Sequence, residues 1–200
     1  MRLARDLVVD EGHEAVTMAT VARLSGLSRP AIYQYFSSRS HILAELVLDD
    51  MADLGNELER LLARIEDPRE RVRTWIHYSV AYLSTGEHQA IMTISHRSLP
   101  EETIGVIRAM HGLFMEQLST PLRELGVVEP ESLTGLIYAA VAAAAQRIAR
   151  GADPLSETNT LEVFLEAGLR DTTPPDPSYP QPVVYRSAGL NATTISLSDG

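Results

Sequence analysis

The segment at residues 26–36, GLSRPAIYQYF, carries side chains whose hydrogen-bonding groups match the edges of DNA bases. Arg29 can form two hydrogen bonds to a guanine edge, and Gln34 can do the same with adenine. Pro30 can contact a thymine methyl group, and a tyrosine hydroxyl can reach a phosphate oxygen. These residue types predict a DNA-reading surface, provided that a single element presents them on one face.

The flanking residues supply the signals for such an element. Thr17 can cap a helix that Gly26 ends, and Ser28 can cap the next helix. Pro30 lies in the first turn of that second helix, where its missing N–H costs no intrahelical hydrogen bond. Two short helices joined at a glycine, which tolerates positive φ, predict a helix-turn-helix.

The apolar residues of the segment indicate which face is hidden. Ile32 and Phe36 are four apart, so they face inward and leave Arg29, Tyr33 and Gln34 on the opposite face. Ala22 is small where the helices cross, and the space between them is expected to be filled by Val21, Leu27, Ile32 and Phe36. Spacing alone also fits a plain helical hairpin whose polar residues are merely solvated.

The candidate DNA contacts include two residues, Thr17 and Arg39, that are expected to hold the DNA backbone on either side of the reading helix. The full set is Thr17, Ser28, Arg29, Pro30, Tyr33, Gln34, Tyr35 and Arg39.

Residues 11–43, EGHEAVTMATVARLSGLSRPAIYQYFSSRSHIL, resemble the DNA-binding domain of TetR-type transcriptional regulators. The similarity lies in Gly12, Thr17, Val21-Ala22, Gly26-Leu27-Ser28, Ile32-Tyr33-Gln34-Tyr35-Phe36, Ser38-Arg39 and Ile42-Leu43. The resemblance implies a homodimer whose recognition helices enter successive major grooves, and a variable helical C-terminal domain that senses a small molecule.

Three features depart from the family pattern. His13 stands where the family usually has an aromatic residue, and Arg39 replaces a frequent lysine with the charge retained. Met1 falls inside the first predicted helix, so we expect the given sequence to lack the opening turn of that helix and the basic arm that often precedes it.

Composition limits the possible classes of protein. The net charge is −10, whereas residues 1–47 hold as many arginines as acids, so any contact with DNA must be local. Cysteine is absent, which excludes disulfides and thiolate chemistry. The longest strongly apolar run, residues 136–145, is about half of a bilayer span, so we expect a cytoplasmic protein that does not enter a membrane.

Helical periodicity and turn residues predict an all-α chain up to residue 170. A helix is expected from Ser38 to about Leu62, and a capping box should open the next helix at residues 67–70, which runs to Leu83. Further helices are expected from the cap at residues 98–101 to about 126, from Pro130 to Gly151, and around residues 161–169. We divide the chain into a helix-turn-helix domain (1–47), a helical ligand-binding and dimerisation domain (48–170) and a proline-rich tail (171–200).

The resemblance to TetR-type regulators implies a ligand among the middle helices. The middle helices of this chain carry aromatic and thioether side chains with a few polar tips. The candidate ligand-binding residues are Trp75, Tyr78, Tyr82, Met92, His96, Met110, His111, Phe114, Met115 and Tyr138. Such a lining suits an apolar or aromatic effector. For any single one of these side chains, ordinary core is the simpler reading, and a buried histidine satisfied by a carbonyl would explain His111.

The alanine-rich stretch at residues 139–145 has little side-chain bulk, so a partner helix can approach it closely. Because the family dimerises through its last two helices, we assign dimerisation to residues 131–169. Burial of these helices within one chain is the alternative.

No enzyme or metal motif is present: the six histidines form no HExxH, and GxSxG and phosphate-binding glycine loops are missing. We therefore expect no cofactor and no catalysis. The leading hypothesis is a repressor that leaves its double-stranded DNA operator when a small-molecule effector binds and changes the separation of two reading helices. The alternative is a helical dimer that binds a small molecule or a protein and no longer binds DNA.

Overall fold

The computed structural model describes residues 1–94 and 98–170, and every regular element in those ranges is a helix, as the sequence predicts. The helices are α1 (Arg2–Glu11), a short 3₁₀ turn (His13–Ala15), α2 (Met18–Ser25), α3 (Arg29–Tyr35), α4 (Arg39–Leu62), α5 (Pro68–Leu83), α6 (Gly86–Ile91), α7 (Glu101–Glu124), α8 (Pro130–Ala149) and α9 (Pro154–Arg170). The predicted proline-rich tail lies outside the described residues.

Three of the predicted helix caps are confirmed. Thr17, Ser28 and Ser38 each accept, at 3.0, 3.3 and 3.2 Å, a hydrogen bond from the backbone N–H three residues ahead. These bonds satisfy donors that have no intrahelical partner. Gly26 ends α2 at φ 70°, in the left-handed region that glycine enters without a steric penalty.

Two predicted helix starts are wrong in detail. Asp67 caps α5 through the N–H of Arg69, and the described contacts include no return bond from Glu70, so the capping box does not form. Helix α7 begins at Glu101 without a side-chain cap, although Ser98 was expected to cap it. Pro100 occupies the position before the first helical residue of α7.

Two further differences from the predicted helices concern the short helix α6 and the start of α9. Helix α6 was not predicted, because its six residues, GEHQAI, are too few for an amphipathic period to stand out. Helix α9 begins at Pro154, well before the apolar residues from which it was predicted, since Asp153 supplies a cap to the N–H of Ser156 at 2.8 Å.

Helix α4 joins two hydrophobic cores. Its N-terminal half packs into a head core built from α1, α2 and α3, together with Ile91, Ile94 and Leu99. Its C-terminal half, from Leu54 to Leu62, packs into a body core with α5, α7, α8 and α9. The helix has 24 residues, a length of about 36 Å, so it reaches from one core to the other. The proposed domain boundary after residue 47 falls inside this continuous helix.

Helix α8 has the length and mean hydropathy, 20 residues and 1.2, that a membrane-spanning helix also has. Ile137, Val141, Ala144 and Ala145 place one face of it in the body core. Core helices pass the same test of length and composition. Its other face, which carries Leu136, Ala139 and Ala143, is exposed in the single chain.

Candidate nucleic-acid interface and ligand cavity

Helix α3 presents the predicted reading residues to solvent. Ile32 is 2% exposed and anchors the helix to the head core, whereas Tyr33 is 56% and Tyr35 68% exposed. Arg29, Pro30 and Gln34 are exposed as well. Since the buried and exposed positions follow the helical period, the arrangement expected from the sequence is confirmed, and contact with DNA remains a prediction.

The packing behind α3 differs from expectation at one residue. Leu27 was expected to fill the space between α2 and α3, but it is 45% exposed. It follows Gly26 directly, and the left-handed turn there directs the chain outward before Ser28 starts the next helix. Phe36 is half-buried against the head core and meets the ring of His41 edge-on at a centroid distance of 5.7 Å.

Three of the candidate DNA contacts also hold the head together. Thr17 and Ser28 use their hydroxyl oxygens as caps. The guanidinium of Arg39 donates from Nε to the carbonyl of Val16 at 2.8 Å and from Nη2 to the carbonyl of His13 at 2.9 Å. Arg39 therefore links the turn before α2 to the start of α4. This structural role was not predicted from the sequence, which indicated only a contact with the DNA backbone.

A cavity of about 520 Å³ lies where the head and body cores meet. It is lined by Val47, Met51, Leu54, Leu83, His88, Met92, Ile94, Leu99, Ile107, Met110, His111, Phe114 and Tyr138. Its size is typical of a small-molecule site, and no arginine, aspartate or glutamate is among these residues. Five of the ten predicted ligand-binding residues are in the lining: Met92, Met110, His111, Phe114 and Tyr138.

The other predicted ligand-binding residues lie elsewhere. Trp75 is fully buried behind the cavity wall, with its ring 4.8 Å from that of Phe114. Tyr78 and Met115 pack against the body core, and Tyr82 bonds to α4. His96 lies outside the described residues. Aromatic and thioether residues in the sequence indicate the region in which the cavity lies. They do not distinguish the residues that line the cavity from those that pack behind the lining.

Helices α4 and α6 contribute to the cavity wall, which was not predicted from the sequence. Val47, Met51 and Leu54 come from α4 at spacings of four and three, a pattern visible in the sequence but equally typical of core. His88 comes from α6, an element that was not predicted.

A buried polar cluster joins α4, α5 and α6 beside the cavity. Asp50 is 1% exposed; its Oδ1 accepts a hydrogen bond from the Tyr82 hydroxyl at 3.1 Å, and its Oδ2 lies 2.7 Å from Nδ1 of His88. Burial first, and then the charge of Asp50, raise the pKa of Tyr82, so its hydroxyl acts as a donor at neutral pH.

The opposite end of the cavity is aromatic. His111 meets Tyr138 edge-on at a centroid distance of 5.2 Å, and Phe114 meets Tyr138 in the same manner at 6.1 Å. Burial raises the pKa of Tyr138, so it too keeps its proton at neutral pH. This end offers ring faces and edges to an aromatic or apolar group.

Helix α6 also contacts the head directly. Arg5 of α1 forms ion pairs with Glu87 of α6 at 2.8 Å and with Asp53 of α4 at 3.2 Å. Neighbouring residues of α6 therefore face two ways: Glu87 bonds to the head and His88 borders the cavity.

Comparison with known proteins agrees with this arrangement. The profile of the family described as "Bacterial regulatory proteins, tetR family" matches residues 1–46. An uncharacterized HTH-type transcriptional regulator of Mycobacterium tuberculosis (strain H37Rv) is 32% identical over 80 residues, which cover 36% of this chain and 42% of that protein. The crystal structure of PfmR, a TetR family transcriptional regulator from Thermus thermophilus, matches with a TM-score of 0.63 and 25% identity over 84% of this chain and 91% of that one. The match places residues 1–46 in the TetR family.

The family profile covers the head of this chain, and the matched stretch spans 42% of the length of the mycobacterial relative. The body is matched through its fold. FadR from Bacillus subtilis, solved in complex with stearoyl-CoA, has a TM-score of 0.69 and 16% identity over 84% of this chain and 96% of that one. The fold of the helical body is thus shared with FadR at 16% sequence identity.

Proposed function

We propose that this chain is a cytoplasmic, ligand-responsive transcriptional regulator of the TetR family that binds operator DNA as a homodimer. In this proposal it acts as a repressor that leaves the operator when an effector enters the cavity. The exposed face of α3 supports the DNA-binding part, since Arg29 and Gln34 carry side chains suited to base edges and Tyr33 can reach a phosphate.

The observation that carries the proposal is the position of α4. The same helix packs into the head core through Val47 and borders the cavity through Val47, Met51 and Leu54. A ligand that favours one position of α4 therefore also favours one position of the head. This is differential binding to two conformations, the condition for a ligand to shift their populations.

In a dimer, a shift in the position of the head changes the affinity for DNA. Two recognition helices must lie about 34–36 Å apart to enter successive major grooves, so a small change in separation weakens binding to DNA. Helices α8 and α9 expose Leu136, Leu155, Val163 and Phe164 in the single chain. Exposed apolar side chains grouped in this way fit an interface with a second copy.

The lining of the cavity supports an apolar or aromatic effector. Apart from His88, His111 and Tyr138, the side chains of the wall are aliphatic, thioether or phenyl groups. The similarity to FadR with bound stearoyl-CoA indicates that a related fold accommodates a ligand with a long apolar chain.

The DNA-binding proposal is tested with duplexes selected by the protein from a random library and with scrambled duplexes, using fluorescence anisotropy. Arg29→Ala and Gln34→Ala should each reduce the preference for the selected sequence by about 10-fold, because each removes a bidentate base contact. Tyr33→Ala should weaken binding to both duplexes to the same extent. Arg64→Ala, at an exposed arginine beyond the end of α4, serves as the control and should leave both affinities unchanged.

Equal losses on selected and scrambled DNA for all three reading-face variants would contradict these roles. Failure of the wild-type protein to select any duplex, combined with thermal stabilisation by a metabolite, would favour the helical dimer that no longer binds DNA. The wild-type complex should dissociate when that metabolite is added, which tests the repressor mechanism.

A further inference from the structure

Residues 36–38 form the whole link between the reading helix α3 and the connecting helix α4, and His41 contacts each of them. The His41 ring meets the ring of Phe36 edge-on at a centroid distance of 5.7 Å. Its Nδ1 lies 3.2 Å from the backbone nitrogen of Ser37, and its own N–H donates to the hydroxyl oxygen of Ser38 at 3.2 Å. One residue in the first turn of α4 therefore holds the complete link.

The bond to Ser37 determines which nitrogen of the His41 ring carries the hydrogen. A backbone N–H can only donate, so Nδ1 must supply the lone pair that accepts it. The hydrogen of the ring is then on Nε2. The carboxylate of Glu45 lies 3.5 Å from Nε2, on the side where that hydrogen is expected. The two neighbours of the ring thus indicate the same tautomer.

The Ser37 N–H depends on this acceptor, because α3 ends just before it. The last N–H of the helical pattern is that of Phe36, which donates to the carbonyl of Ile32 at 3.0 Å. Within the part of the chain that the structure describes, the ring of His41 is the acceptor that the Ser37 N–H has. The direction in which the chain leaves the reading helix is therefore set by a side chain of α4.

We propose that His41 is a positioning residue that fixes the reading helix α3 relative to α4. This inference rests on the proposed function, in which α4 carries the response to the effector to the head. Helix α3 is connected to α4 by packing, through Ile32 in the head core, and by the chain itself, through residues 36–38. The bond to Nδ1 stiffens the second connection, so a movement of α4 reaches the reading face and is not absorbed by the link.

A matched pair of substitutions separates the two ring nitrogens. His41→Asn keeps an acceptor oxygen at the position of Nδ1, whereas His41→Gln places its amide group at the position of Nε2 and leaves the Ser37 N–H without an acceptor. Asparagine is the poorer helix former, so a better result with asparagine cannot come from helix propensity. His77→Gln is the control, because His77 belongs to α5 and pairs with Glu162 at 2.7 Å, outside the head.

The first measurements need no DNA. Nuclear magnetic resonance of the ring nitrogens in the wild-type protein should show Nδ1 without a hydrogen and Nε2 with one. Amide hydrogen exchange at Ser37 should be about fivefold faster in His41→Gln than in the wild-type protein, which is the factor that one net hydrogen bond provides. In His41→Asn and in His77→Gln it should stay within about twofold of the wild-type rate.

Fluorescence anisotropy with the selected and scrambled duplexes then measures the consequence for DNA binding. His41→Gln should bind the selected duplex about 10-fold more weakly, because both heads of a dimer must order the link when they dock on the base edges. Its affinity for the scrambled duplex should fall by only about twofold, since contacts with phosphates tolerate more variation in the position of α3. His41→Asn should remain within about threefold of the wild-type affinity on both duplexes.

A loss in His41→Asn that His41→Gln escapes would assign the role to Nε2, as a direct contact with a phosphate, and would overturn the positioning role. Equal losses in both variants would assign the effect to the ring against Phe36 and would overturn the role of Nδ1. So would wild-type exchange at Ser37 in His41→Gln. Failure of the wild-type protein to select any duplex would overturn the DNA-binding part of the proposed function, while exchange at Ser37 would still decide whether His41 holds the link.

Discussion

At the level of single residues, the guanidinium of Arg39 stabilises the turn that positions α2. Its bonds to the carbonyls of Val16 and His13 satisfy two acceptors in the 3₁₀ turn and the segment that follows it. The side chain is 32% exposed, so it is available at the surface only in part. An effect of Arg39 on DNA binding is therefore expected to come largely through the geometry of the head.

Substitutions at Arg39 separate this positioning role from a phosphate contact. Arg39→Ala should lower the free energy of unfolding by about 1–3 kcal/mol, because it removes two hydrogen bonds. Arg39→Lys should be nearly as damaging, since an ammonium group cannot reproduce the fork of Nε and Nη2. Urea unfolding and the affinity for a scrambled duplex measure the two effects. Wild-type stability and affinity in Arg39→Lys would show that charge alone matters and would refute the positioning role.

At the level of helices, an ion-pair network holds the end of α7 to the start of α8. Arg123 contacts Glu116 at 2.8 Å and Glu131 of α8 at 3.2 Å. The hydrogen bond from Arg123, followed by those from Ser119 and Thr120, lowers the pKa of Glu116 from 4.5 to about 2. A carboxyl group with a lowered pKa in the folded state stabilises the fold when it is ionised.

The sign of the pH dependence follows directly. The contribution of Glu116 to stability is fully present above pH 4.5 and is lost as the pH falls toward about 2. The difference in melting temperature between the wild-type protein and Glu116→Gln should therefore shrink over that window. Glu59→Gln, at an exposed glutamate of α4 that forms no ion pair among the described residues, is the control. A wild-type advantage that persists unchanged at pH 2 would exclude this linkage.

Local chemistry explains which elements could be predicted from the sequence. The caps at Thr17, Ser28 and Ser38, and the glycine at position 26, act within three or four residues, so their consequences are visible in the sequence. The exposed face of α3 follows from the helical period. These features define the head and the candidate reading surface almost completely.

The cavity could be predicted only in part, because its wall depends on residues far apart in the chain. His88 pairs with Asp50, 38 positions away, and α6 is held by contacts with the head that no local pattern encodes. Trp75 and Phe114 belong to the same aromatic cluster, yet only Phe114 reaches the cavity. Which side of a cluster faces open space depends on tertiary packing, which overrides local pattern.

At the level of the whole molecule, the exposed faces of α8 and α9 are the surface through which two copies are proposed to meet. The alanine-rich stretch divides between two environments: Ala144 and Ala145 are buried in the body core, whereas Ala139 and Ala143 face outward beside Leu136. Small outward residues allow close approach of a partner helix. On α9, Val163 is 72% and Phe164 59% exposed, which suits large anchors at the centre of an interface.

A charge placed at this surface should separate the dimer without unfolding the chain. Phe164→Glu should give a monomer in sedimentation velocity, because a carboxylate buried against a second copy would lack a partner, while the exposed position costs the monomer little. The monomer should retain its helical circular dichroism and bind scrambled DNA only weakly, since it engages a single groove. Val128→Glu, at a residue 66% exposed and just outside the proposed interface, should remain dimeric. A dimer in both variants would show that the two copies meet through a surface other than α8 and α9. The two reading helices would then lack the rigid spacing that effector release requires.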